Sequence, residues 1–132
     1  MRSKGGSCKA YPAPFAVSLF DDNTTVAEPD ISVICDPGRL TQRGCSGAPD
    51  WIIEITSSSN SSHDYIRKLN LYNDAGVREY WVVNPERQSV YVCHLKETPF
   101  ETAAYTFRDR VKSGVLKHLW IDFQHMMQLT GI

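Results

Sequence analysis

No run in this chain approaches the roughly 18 consecutive apolar residues of a membrane-spanning helix, and no secretory signal opens it. A spanning helix is therefore excluded as its organising element. The four cysteines, Cys8, Cys35, Cys45 and Cys93, show no CxxC spacing, and the four histidines are scattered. That argues against a structural zinc site. With nothing to mark export, the expectation is a cytoplasmic chain with reduced thiols and no membrane partner. Charge of one sign is missing too. Fourteen basic and 15 acidic residues leave a net charge of −1. Any nucleic-acid contact must then rest on a local patch.

What the chain does have is enough for one core. It has 132 residues, 42% apolar, with three Trp, six Tyr and five Phe, a length that suits one domain rather than two. "MRSKGGS" reads as part of a flexible leader over residues 1–10, with a single domain over 11–132.

The apolar runs read as strands. "FAVSLF" from Phe15, "ISVIC" from Ile31 and "WIIEI" from Trp51 are β-prone and bounded by turn residues. Between the last two, "RLTQRGCSGAP" reads as a loop. Ile66, Leu69 and Tyr72 recur at helical spacing after Ser62 or Asp64, and Gly76 stops the pattern. "EYWVVN" from Glu79 is apolar on both faces. "SVYVCHL" from Ser89 and "AAYTF" around Tyr105 extend the sheet. A short helix is expected over Phe123–Leu129, capped by Asp122. The class is α/β or α+β, a mixed β-sheet flanked by helices.

Two acids stand out. Side chains alternate along a strand, so Asp50, Ile52, Glu54 and Thr56 share one face. A carboxylate inside a buried strand is costly unless it is paired or holds a metal. A salt bridge to a nearby cation explains Glu54 as readily as a metal does. Asp30, opening the preceding strand after Pro29, tips the balance. Two acids from neighbouring strands make an oxygen site suited to Mg²⁺ or Mn²⁺. Asp50 lies about 13 Å along the strand from Glu54, too far to share an ion. It reads as a strand-opening residue or an indirect partner, and Glu28 lies two residues before Asp30.

On the helix, Asp64 and Lys68 are four apart and Tyr72 follows one turn later on the same face. An ordinary surface ion pair accounts for the first two, and core packing for the tyrosine. This helix follows the Glu54 strand through one loop, however, and can carry Lys68 back toward Glu54, where it would stabilise charge on a phosphate or orient a water.

"EPDISVICDP", "GAPDWIIEITSSS" and "HDYIRKLNLYNDAGVREYWVVNPE", in that order and spacing, resemble the Uma-type restriction endonuclease family. That family, abundant in bacteria, belongs to the PD-(D/E)xK nuclease superfamily. The resemblance spans roughly residues 11–129. It implies a restriction endonuclease-like fold and Mg²⁺- or Mn²⁺-dependent hydrolysis of DNA phosphodiester bonds, double-stranded DNA ahead of single-stranded. By the same resemblance, Asp30, Glu54 and Lys68 are the catalytic set, and Asp30, Glu54 and the backbone carbonyl of Ile55 hold the metal. Glu28, Asp50, Thr56, Asp64 and Tyr72 stand behind them.

The sequence departs from the superfamily pattern at Thr56, since superfamily members have a lysine two residues after the strand acid; the resemblance implies that Lys68, on the following helix, supplies that charge instead. Family members also carry helices, a hairpin and a further glutamate ahead of the strand expected near Pro14. Their absence here implies apolar surface available for self-association, with a dimer expected. The other reading is a catalytically silent member that binds DNA or a protein through the same scaffold.

Overall fold

The computed structural model describes residues 8–20, 24–57, 62–96, 101–116 and 119–123. Eleven strands and one α-helix are distributed along them: β1 (Lys9–Pro12), β2 (Ala16–Ser18), β3 (Val26–Ala27), β4 (Ile31–Ile34), β5 (Gly44–Ser46), β6 (Trp51–Ile55), α1 (Ser62–Ala75), β7 (Glu79–Asn84), β8 (Ser89–His94), β9 (Glu101–Thr106), β10 (Arg110–Lys112) and β11 (Trp120–Asp122).

Six strands form the main sheet in the order β1-β4-β6-β7-β8-β9. Only β6 and β7 run parallel; their neighbours pair antiparallel. A parallel pair cannot be closed by a tight turn, and α1 supplies the crossover. The central strands are buried on both faces, which is why "WIIEI" and "EYWVV" are nearly continuous apolar runs. Ile52, Tyr80, Val82 and Cys93 face α1, which contributes Leu69 and Tyr72. Trp51, Ile53, Trp81, Val90 and Val92 face the other way, covered by Phe107, Val111, Leu116 and Phe123.

Gly76 ends α1 as expected. Its φ is +98°, its N–H donates to Asn73 O and the Val77 N–H donates to Tyr72 O at 3.0 Å. This two-bond cap buries Val77 beside Tyr72 and fixes the last turn. The α+β class is as expected, with one α-helix among the described residues.

Several expectations change. Lys9 and Ala10, assigned to the leader, pair with Ile34 and Val33 at the sheet edge. The Phe15 strand shortens to Ala16–Ser18 and joins β3 and β5 in a small second sheet. β5 lies inside the stretch read as a loop. It approaches β2 so closely that a Cβ on Gly44 would sit 1.9 Å from Ala16 O. The tail helix falls on residues outside those described, apart from its first, Phe123.

The thiol expectation is corrected too: Cys8 and Cys35 form a disulfide, while Cys45 and Cys93 are free and buried. The bonded pair lies one step beyond the Lys9–Ile34 register, where antiparallel strands bring two residues face to face. Among the described residues, no helix is long and apolar enough to cross a membrane.

Candidate active site

Asp30 and Glu54 meet through strand register. Ile31 pairs with Ile53 across β4 and β6, so the residue before one lies opposite the residue after the other. The Asp30 N–H points to Glu54 Oε1 at 3.4 Å, and Asp30 Oδ2 accepts from the Ile55 N–H at 2.7 Å. Successive backbone groups alternate sides along β6: the Thr56 N–H turns to Val83 O on β7. The Ile55 carbonyl therefore shares its own N–H's direction, toward Asp30.

The helix delivers the other two groups. The Tyr72 hydroxyl donates to Glu54 Oε2 at 2.8 Å, and Lys68 Nζ lies 3.5 Å from the same oxygen. Asp64, one turn back, holds Lys68 at 3.6 Å and Arg67 at 2.9 Å. Positions 64, 68 and 72 form one stripe on α1, and the buried Tyr72 end locks that stripe over the sheet. Lys68 thus reaches two carboxylates and lines a hollow of about 390 Å³.

Glu54 is only 8% exposed. Burial pushes its carboxyl above the ordinary range; the Tyr72 hydrogen bond and Lys68 pull it back, while the charge of Asp30 adds to the rise and the Asp30 N–H opposes it. Burial, and then the Glu54 charge, raise the Tyr72 hydroxyl, so it acts as a donor and not as a phenolate.

Asp50 is elsewhere. Its Oδ2 accepts from the Cys35 N–H at 2.7 Å, its Oδ1 lies 3.4 Å from Arg78, and its backbone O accepts from Arg78 and Glu79. It clamps the far ends of β4, β6 and β7 together. Glu28 is exposed, and Thr56 is half-buried at the mouth of the hollow. Arg39, which ends the short 3-10 helix Pro37–Arg39 before β5, is tied to Ala48 O and paired with Asp36 at 3.9 Å.

Sequence reasoning missed three groups on the hollow's far wall, Asn84, Arg87 and Tyr91. Asn84 and Tyr91 lie on β7 and β8 and Arg87 in the turn between them, and only the pairing of these strands with β6 brings them to the Glu54 side. It also missed Glu79, 2% exposed on the opposite face, whose carboxylate accepts from Trp81 Nε1 and from the Gly114 N–H at 2.8 Å and lies 3.5 Å from His94.

A mixed sheet with a parallel β6–β7 pair, a crossover helix and an acid pair at the β4–β6 junction defines a nuclease fold of the restriction endonuclease-like kind. Among solved structures, the fold matches a protein from Anabaena variabilis ATCC 29413 described as a "putative nuclease belonging to DUF820". The TM-score is 0.69 at 22% identity, over 92% of this chain and 68% of that one. The model of the Uma2 family, described as "Putative restriction endonuclease", matches residues 1–124, and the chain belongs to that family. No curated protein matches it.

Proposed function

We propose that the chain is a metal-dependent endonuclease that hydrolyses DNA phosphodiester bonds. The observation that carries this reading is the convergence of Asp30 and Lys68 on Glu54, from the start of one strand and from the helix, with Glu54 and Lys68 lining one hollow. Family membership and the nuclease neighbour agree with it.

The donor set suits a hard divalent cation. No cluster of three or more His, Cys, Asp or Glu occurs among the described residues. Mg²⁺ needs only one or two carboxylates, because water and substrate phosphate complete its shell. Asp30, Glu54 and the Ile55 carbonyl all offer oxygens, and burial of the Glu54 carboxyl is a cost that a bound cation would offset. Bound there, Mg²⁺ or Mn²⁺ would supply Lewis-acid stabilisation of the phosphate and acidify a water.

The chain's own residues have distinct tasks. Tyr72 fixes the orientation of Glu54 and leaves Oε1 toward Asp30. Lys68 is close enough to contribute positive charge where the phosphorane-like transition state is most negative. Asp64 keeps the ammonium from collapsing fully onto Glu54 by drawing on it from the other side.

The test is cleavage of plasmid and oligonucleotide DNA with Mg²⁺ or Mn²⁺ by the wild type, Glu54→Gln and Lys68→Ala. Activity that is lost in both variants supports the reading; equal activity in all three overturns it. The net charge of −1 favours a second reading, a silent member that binds DNA or a partner protein without cutting. Titration calorimetry with Mn²⁺ on wild type and Asp30→Ala separates the two, since a silent scaffold takes up no metal in either. We extend the reading to a homodimer, which light scattering on the purified chain tests directly.

A further inference from the structure

We propose that Tyr91 is a base-stacking platform beside the catalytic groups, so that the strand being cut presents an unpaired base next to its scissile phosphate. This rests on the nuclease reading above. It narrows the substrate from duplex DNA, expected from the sequence, to single-stranded or locally opened DNA.

Register is the first support. Glu54 pairs with Val82, Val82 with Tyr91 and Tyr91 with Ala104, so all four lie in one row across β6, β7, β8 and β9. Paired residues project from the same face. Tyr91 is therefore on the Glu54 face, two interstrand spacings or about 10 Å away. A strand whose phosphate lies at Glu54 can lay a neighbouring nucleotide there.

Exposure is the second. Val82, between them, is 8% exposed, whereas Tyr91 is 48% exposed. Helix α1 covers the sheet up to Tyr65, whose ring centre is 6.2 Å from that of Tyr91. Beyond that point β9 presents only small side chains on this face among the described residues, Thr102, Ala104 and Thr106. They leave a second hollow of about 400 Å³, lined also by Tyr65 and Tyr91. The two tyrosines line both hollows and form the ridge between them.

Chemistry is the third. The exposed Arg87 on the β7–β8 turn lines the hollow that holds Lys68. A cation for backbone phosphate next to an open aromatic is the arrangement that binds single strands, because every base has a π-face. A base inside a duplex keeps its own stacking partners and cannot reach a ring on a sheet floor. Strands with splayed bases can.

The experiment measures anisotropy of a labelled oligothymidylate and of a duplex of equal length, with EDTA present to prevent cleavage. Tyr91→Ala should weaken the single strand about tenfold, within the roughly 1–3 kcal/mol of one stacked base. Tyr91→Phe should bind as the wild type does, and duplex affinity should not change. Ala104→Glu, beside the ring, should weaken the single strand as well.

Equal single-strand affinity in wild type and Tyr91→Ala overturns the proposal, and so does a parallel loss for both DNAs. Mn²⁺-dependent cleavage by wild type and Glu54→Gln is measured alongside. Glu54-dependent cleavage with Tyr91-independent binding leaves the nuclease reading standing and removes the platform. Tyr91-dependent binding without any cleavage supports the platform and removes the nuclease reading. Neither binding nor cleavage removes both.

Discussion

The hydroxyl of Tyr72 lies 2.8 Å from Oε2 of Glu54, a bond between the last turn of α1 and the middle of the sheet. It is a bond to a buried acid with few other partners. Tyr72→Phe keeps the ring in the core and removes only the donor. Losing a hydrogen bond to a charged buried group costs about 1–3 kcal/mol. Because that bond lowers the Glu54 carboxyl, its loss moves the carboxyl further up. If cleavage needs ionised Glu54, the acid limb of the pH–rate profile shifts to higher pH in Tyr72→Phe. A profile with an unmoved acid limb would separate Tyr72 from the chemistry.

Glu54 should cost stability while it serves the site. Its carboxyl is raised above its ordinary 4.5 in the fold, chiefly by burial. A raised folded-state value means that the protonated form stabilises the fold. That contribution is complete below the unfolded value and disappears as pH rises through the folded one. In metal-free buffer at pH 8, Glu54→Gln should therefore melt higher than wild type, by a few degrees. The gap should close toward pH 4, where the wild-type acid is neutral. Thermal melts across that range, with EDTA present, read the difference. Added Mn²⁺ should raise the wild-type melting temperature and leave Glu54→Gln unmoved.

Lys68 couples to the same charge. Removing one partner of a buried pair leaves the other uncompensated, at about 3–5 kcal/mol when fully buried. Lys68 is partly exposed, with 29% of its side chain accessible, so Lys68→Ala should cost less than that range. The double variant Glu54→Gln/Lys68→Ala should recover most of that loss and none of the cleavage. A double-mutant cycle by urea denaturation measures the coupling. Additive effects of the two single substitutions would mean that the 3.5 Å approach carries no energy.

The candidate site was largely legible because its geometry is local in period. Alternation along "WIIEI" separates Glu54 from Ile53, and fourfold spacing lines up Asp64, Lys68 and Tyr72. The partnership of Asp30 with Glu54 needed one further step, the adjacency of β4 and β6. What stayed hidden depends on register or on very short elements. β3 has two residues and β5 three, too few to show a period. Tyr91 joins the Glu54 row only through two successive pairings that nothing in "SVYVCH" announces. Cys8 and Cys35 are 27 residues apart, and only β1 pairing with β4 brings them together.

That last pairing makes a prediction of its own. β1 is an edge strand of four residues, three of them exposed, and little apolar burial holds it. The Cys8–Cys35 bond fastens its start to the end of β4. Closing a loop of this size removes unfolded-chain entropy worth about 3–4 kcal/mol. Reduction, or Cys8→Ser, should therefore lower stability by about 2–4 kcal/mol in urea denaturation. The loss should spread along β4, because Asp50 Oδ2 holds the Cys35 N–H and Asp30 opens the same strand at its other end. Amide exchange at β1 should rise first, since edge strands open locally before the core does. If β1 amides exchange equally fast with and without reductant, the sheet rather than the disulfide holds that edge.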